Sequence, residues 1–203
     1  MKIICVGRNY KAHAAELKNE VPKEPVLFLK PQTAIPLKNQ PFFYPDFSTS
    51  IHYEAEIVVK INKVGKHIAP AFAERYYQEL SLGIDFTARD LQAELKAKGL
   101  PWEKAKAFDG SAAVGRFIPK ESFPDMGNID FQLMLNHEQK QRGNSGDMLF
   151  SIDQLIAYIS QFFTLKIGDL IFTGTPEGVG EVKKGDHLEG LLGDEKVLAV
   201  DIR

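Results

Sequence analysis

The chain has 203 residues, 44% hydrophobic and 26% charged, with 25 basic against 27 acidic side chains and a formal charge of -2. That size buries a substantial core in one domain, and the charge balance excludes a basic nucleic-acid surface and an acidic disordered arm. No run approaches the roughly 18 apolar residues of a membrane span, Cys5 has no second cysteine to pair with, and the opening MKIICVGRNY is too short for a secretion signal. The expected setting is cytoplasmic and reducing.

In chain order, Met1 to Gly7 reads as a short buried strand. Asn9 to Asn19 reads as a helix, because Tyr10, Ala14 and Leu17 recur at helical spacing. The proline-rich stretch from Val21 to Pro45 is irregular apart from a strand-like run at Val26 to Leu29. Ile51 to Ile61 is the clearest strand. Pro70 to Glu79 reads as a helix with proline at its first position, where a missing N–H costs little. Leu80 to Asp85 reads as a buried strand, and Thr87 to Lys98 as a helix stopped by Gly99. Ile129 to Leu135 and Gln139 to Arg142 flank a turn at Asn136-His137 and predict a hairpin. Ser151 and Gln154 form a capping box for a helix reaching about Phe163. Short strands follow at Leu170 to Thr173, His187 to Leu191 and Lys196 to Ile202. Strands outnumber helices and do not alternate with them, which predicts an α+β fold with a β-rich core.

Within Ile51 to Ile61 the odd positions are Ile51, Tyr53, Ala55, Ile57, Val59 and Ile61, which predicts one face packed into a core. Glu54 and Glu56 then share the other face, with Cα atoms about 6.6 Å apart. Carboxylates this close repel unless a positive charge lies between them, and a hard cation such as Mg²⁺ or Ca²⁺ suits such oxygens. A solvated strand face balanced by His52 and Lys60 fits the spacing equally. Asp85 ends an apolar run just before a helix and is the natural third ligand, although helix capping also suits it.

Six segments then occur in order: Val6-Gly-Arg-Asn-Tyr10, Phe28-Leu-Lys-Pro31, His52-Tyr-Glu-Ala-Glu56, Gly83-Ile-Asp-Phe-Thr-Ala-Arg-Asp-Leu-Gln92, Ala105-Lys-Ala-Phe-Asp109 and Thr173-Gly-Thr-Pro-Glu-Gly-Val-Gly180. With them the chain resembles the fumarylacetoacetate hydrolase family over nearly its whole length. It looks closest to the small single-domain members, which include acylpyruvate hydrolases and oxaloacetate decarboxylases or tautomerases. The resemblance implies a mixed β-sheet rolled on itself with peripheral helices, like the C-terminal domain of fumarylacetoacetase. It also implies one catalytic domain over 1–203, without the extra domain of larger members, and a homodimer. It implies that Glu54, Glu56 and Asp85 bind Mg²⁺ (or Mn²⁺ or Ca²⁺), and that Lys106 is the active-site lysine. His13 and Glu16 match a pair in the mobile lid of some members. Arg8, Lys30, Arg89, Gln92 and Thr175 match residues that line or border the substrate pocket.

The expected activity is acylpyruvate hydrolysis or oxaloacetate decarboxylation through an enolate. One alternative is isomerisation of an oxo-dioate such as 2-hydroxyhepta-2,4-diene-1,7-dioate, or tautomerisation of oxaloacetate. A non-catalytic, metal-stabilised binding protein is the alternative of another class, and Lys106 with His13 and Glu16 argues against it. His13 and Glu16 lie at i and i+3 on the expected first helix, a spacing that lets the carboxylate orient the imidazole to activate water.

Overall fold

A computed structural model describes residues 1–16, 20–37 and 40–203. The chain runs through β1 (Ile3–Gly7), α1 (Lys11–Glu16), β2 (Val26–Lys30), β3 (Ile51–Tyr53), β4 (Ala55–Ile61), β5 (Tyr77–Asp85) and β6 (Thr87–Ala88). It continues through α2 (Arg89–Ala97), α3 (Glu103–Lys106), β7 (Ala112–Val114), β8 (Ile118–Pro119), β9 (Asp130–Leu135) and β10 (Glu138–Asn144). The last elements are α4 (Ile152–Phe162), β11 (Leu170–Phe172), β12 (Gly180–Glu181), β13 (His187–Leu192) and β14 (Glu195–Asp201).

Seven strands form the main sheet, in the order β2-β1-β11-β4-β5-β7, with β8 also paired to β5. It is mixed: β1 and β11 run parallel, and its other pairs are antiparallel. A second sheet, β10-β9-β13-β14, packs β13 and β14 against β5. A third, β12-β3-β6, is short. The result is the expected α+β fold with a curled, β-rich core and few helices.

Strand β4 is buried on both faces except at Lys60. Ala55, Ile57, Val59 and Ile61 of β4 enter the larger apolar cluster, while Val58 joins Ile3, Cys5, Leu170 and Phe172 in a smaller one. The expected odd face is therefore buried, and the even face does not meet solvent as a simple amphipathic strand would.

Several elements form as the local chemistry dictates. The Asn136-His137 turn has φ of 50° and 69°, the left-handed pair that a two-residue hairpin of type I′ requires. At Ser151 both halves of the capping box form: Gln154 N donates to Ser151 Oγ and Ser151 N donates to Gln154 Oε1. The helix that follows buries Ile152, Leu155, Ile156 and Ile159 on one stripe. Gly99, at φ 65°, stands just past the end of α2.

Other expectations are corrected. Ile51 to Ile61 is not one strand: it breaks at Glu54 into β3 and β4, which belong to different sheets. Pro70–Tyr76 is a 3₁₀ turn, and β5 starts at Tyr77, where pairing with Ile61 outweighs the local helical pattern. The helix expected from Thr87 begins at Arg89, because Thr87 and Ala88 pair with His52 and Ile51. The first helix starts at Lys11, and the part of it expected over 17–19 lies outside the described residues. Helix α3 and strands β7, β8 and β12 had no clear periodic signal. No described helix is long and apolar enough to cross a membrane.

Candidate functional site

Strands β3 and β6 pair in a sheet separate from that of β4 and β5, and the acids sit where the two pairs meet. β4 and β5 pair from Ile61↔Tyr77 to Ala55↔Ile84, while β3 and β6 pair through Ile51↔Ala88 and His52↔Thr87. Between these ladders, Asp85 N donates to Glu54 O at 2.8 Å. The shared corner brings Glu54, Glu56 and Asp85 together. Each offers an oxygen within 4.8 Å of the others, and all three residues are buried.

The charges around them are arranged by other elements. From the end of α3, Lys106 Nζ donates to Glu54 Oε2 (2.7 Å), Asp85 Oδ2 (2.8 Å) and Thr87 Oγ1 (2.6 Å). From the start of α2, Arg89 donates to Glu54 Oε1 (2.5 Å) and to Gln92 Oε1 (2.6 Å). Burial favours the neutral acid at Glu54, but Lys106 and Arg89 overcome it and hold this carboxyl well below the usual range. Glu56 shows the opposite balance. Burial, then the neighbouring Asp85 and Glu54 carboxylates, push it well above the ordinary value, although Gly174 N donates to its Oε2 at 2.7 Å. Gly174 has φ 102°, and an added Cβ there would stand 2.7 Å from Asn9 Cβ, so only glycine presents this N–H without strain. Burial opposes the charge of Lys106, but Asp85 and Glu54 more than compensate and raise its pKa, so it keeps its proton at neutral pH.

The fit to a divalent cation rests on these observations. Glu56 is a buried acid with too little positive charge beside it, which a cation would relieve. Asp85 Oδ1 is buried and makes no hydrogen bond, its 2.7 Å contact with Lys30 Nζ being an ion pair outside hydrogen-bond geometry. Three convergent carboxylate oxygens are the donor set of a hard cation.

A cleft opens onto the acids. Its walls include Arg8, His13, Arg89, Gln92, Thr175 and Lys106, so these expected residues and the acid triad meet in one place. His13 is buried, and its Nδ1 lies 3.2 Å from Glu16 Oε2. Glu16 Oε1 accepts from Gly178 N at 3.0 Å and ties α1 to the glycine-rich loop.

Lys30 stands one layer behind the cleft wall. Its side chain is fully buried behind Asp85, where Nζ donates to Ser111 O (2.8 Å) and Ser111 Oγ (3.0 Å) and pairs with Asp85 Oδ1. In this position it braces Asp85, a candidate metal ligand.

Two residues at the site escaped the sequence reading. Lys96 lines the cleft, and its signal was available: it follows Arg89 by seven residues and Gln92 by four on the same helical stripe. Gln141 gave no signal, standing in the polar run Glu138-Gln-Lys-Gln-Arg142. A register shift between Gln139 and Gln141 turns it inward, where it is 1% exposed. There its Oε1 accepts from Ala55 N (2.9 Å), between the two glutamates, and its Nε2 donates to Thr175 Oγ1 (2.9 Å) and Pro176 O (3.0 Å).

Comparison with known proteins gives a family match over nearly the whole chain. Residues 2–198 match the model of the fumarylacetoacetate (FAA) hydrolase C-terminal family. The chain is 44% identical over 187 residues to the oxaloacetate tautomerase FAHD1, mitochondrial, of Bos taurus, covering 92% of this chain and 85% of that protein. It is 42% identical over 203 residues to the oxaloacetate decarboxylase, mitochondrial, of Dictyostelium discoideum, covering 99% of this chain and 93% of that one. The crystal structure of fumarylpyruvate hydrolase from Pseudomonas aeruginosa, in complex with Mn²⁺ and pyruvate, superposes with a TM-score of 0.93 at 36% identity. That match covers 100% of this chain and 89% of the other.

Proposed function

The chain belongs to the fumarylacetoacetate hydrolase family, and on that footing we propose that it is an enzyme of small 2-oxo acids, oxaloacetate foremost, with a divalent cation held by Glu54, Glu56 and Asp85. The observation that carries this reading is the buried acid triad with a protonated lysine in contact with it, at the floor of a small cleft. When bound, Mg²⁺ or Mn²⁺ supplies a Lewis acid for the oxygens of a 2-oxo acid.

The remaining work falls to this chain's own side chains. Lys106 keeps its charge, so its ammonium stabilises negative charge developing on the C2 oxygen and can donate a proton to the enolate that results. Arg89 and Gln92 orient the substrate from the cleft wall, and Thr175 does so from the loop that Gln141 braces. Both reactions develop enolate charge on the C2 oxygen: tautomerisation, which moves a proton between C3 and that oxygen, passes through the enolate of oxaloacetate, and decarboxylation, which releases CO₂, leaves the enolate of pyruvate.

A second reading, acylpyruvate C–C hydrolysis, is favoured by His13 and Glu16. A carboxylate accepting from Nδ1–H leaves Nε2 as the basic nitrogen, suited to taking a proton from water. The test is turnover of oxaloacetate and acetylpyruvate side by side, following enol absorbance, CO₂ and pyruvate. EDTA should abolish activity, and added Mg²⁺ or Mn²⁺ should restore it. No turnover of either compound with either metal would reject the reading.

We further take the working assembly to be a homodimer. The groove lined by Ile35, Pro36, Val114, Val197 and Leu198 offers an apolar face for a second copy, and light scattering decides this. A reducing compartment such as the cytoplasm suits the buried thiol of Cys5.

A further inference from the structure

Resting on the reading of the site above, we propose that Gln141 is a positioning residue for Thr175: it occupies the threonine oxygen as an acceptor and so leaves the hydroxyl hydrogen for the carboxylate of the 2-oxo acid. Gln141 sits where β10, the start of β4 and the glycine-rich loop meet. Strand and loop are in direct contact there. A Cβ on Gly143 would stand 3.0 Å from Pro176 Cγ, and one on Gly178, whose φ is 90°, would strike Lys140 O.

Two backbone groups fix the orientation of this buried amide. Oε1 faces Ala55 N (2.9 Å), which can only donate, and Nε2 faces Pro176 O (3.0 Å), which can only accept. A flipped amide would set donor against donor and acceptor against acceptor. Nε2 therefore spends its second hydrogen on Thr175 Oγ1, 2.9 Å away. The hydroxyl keeps one hydrogen of its own to give.

The two threonines of this loop differ in where that hydrogen goes. Thr173 Oγ1 donates to Ile57 O at 2.9 Å, so its hydrogen is spent inside the fold. Thr175 lines the cleft beside Lys106 and the acids, and among the described residues its hydroxyl only accepts. A substrate carboxylate supplies the missing acceptor, and a hydrogen bond to a charged group is the stronger kind. That carboxylate keeps its charge from ground state to enolate, in tautomerisation and in decarboxylation alike. A donor bound to it holds substrate and transition state equally, which lowers KM and leaves kcat unchanged. Without the Gln141 amide, Pro176 O loses its donor and the Thr175 hydroxyl loses the bond that orients it.

The test uses the Mn²⁺-loaded protein, calorimetric binding of pyruvate, and steady-state turnover of oxaloacetate. Thr175→Val should weaken pyruvate binding about tenfold, the scale of one hydrogen bond to a charged group. Gln141→Met should weaken it about three- to tenfold and raise the KM for oxaloacetate by the same factor, with kcat and Mn²⁺ affinity within about twofold of wild type. Combined with Thr175→Val, Gln141→Met should change pyruvate affinity by less than about twofold, because no hydroxyl remains to be oriented. Combined with Thr175→Ser, which keeps the hydroxyl, it should weaken pyruvate as it does alone. An equal effect of Gln141→Met with and without that hydroxyl would mean that the amide only braces the loop, and would overturn the proposal. So would wild-type pyruvate affinity in Thr175→Val, a result that needs no Gln141 variant to fold. Either outcome leaves the proposed function standing. A wild type that neither binds pyruvate nor turns over oxaloacetate would overturn the proposed function itself.

Discussion

Glu56 and Asp85 stand on paired strands and Glu54 at the break between β3 and β4, all three buried, whereas His13 and Glu16 stand on α1, docked against a glycine-rich loop. The strands are cross-braced: Asp85 N bonds Glu54 O, Gln141 bonds Ala55 N, Gly174 N bonds Glu56, and Lys30 backs Asp85. The contrast separates two kinds of catalytic group. On the proposed function, the acids and Lys106 would serve every reaction that passes through an enolate, and the His13 pair would serve only a reaction that needs an activated water.

The contrast can be broken first at its rigid side. Glu56→Ala should reduce both oxaloacetate turnover and acylpyruvate hydrolysis by about 10³-fold or more, because losing a ligand of the cation removes several kcal/mol of transition-state stabilisation. Steady-state rates at saturating Mn²⁺ measure it, and retention of either activity would show that the acids are not shared.

Lys30→Met tests whether that side is held from behind. Removing one member of a buried ion-paired network should cost about 3–5 kcal/mol in chemical denaturation. A merely higher KM with unchanged stability would return Lys30 to the substrate.

His13→Ala sharpens the other side. It should lower acylpyruvate hydrolysis by about 10²-fold, the scale of a lost general base, while leaving oxaloacetate decarboxylation within a few-fold of wild type. Equal loss in both would mean that the histidine orders the cleft for any substrate.

The smallest effect concerns the sheet that carries the acids. Asp169 accepts from Lys2 N (2.9 Å) and Lys166 N (2.7 Å) and pairs with the Lys2 ammonium, fastening the start of β1 beside β11. Burial raises its pKa, but these bonds outweigh burial and hold it below the ordinary 3.8. A depressed folded pKa means stability that is complete above the unfolded value and lost as pH falls through the folded one. Asp169→Asn should therefore cost about 1–3 kcal/mol at pH 7, and the difference from wild type should shrink below about pH 4. Thermal unfolding at pH 7 and pH 3 reads it.

By itself the sequence determined the features whose cause is local. The Asn136-His137 hairpin, the Ser151 capping box, the buried odd face of β4 and the spacing of Glu54 from Glu56 all follow from near neighbours along the chain. The family resemblance added Lys106 and His13 to Glu54, Glu56 and Asp85 as candidates, and the fold gathers them at one cleft. Tertiary structure alone decided the rest. The break at Glu54 exists because β3 and β6 pair in a sheet separate from that of β4 and β5, which no alternation pattern encodes. Lys30 points at Asp85 because α+β curling closes β2 over the end of β5, and a lysine's charge gives no hint of which side of a sheet it serves. Gln141 faces inward because one bulge reverses the facing of a strand, and such a shift depends on the partner strand rather than on the run that carries it.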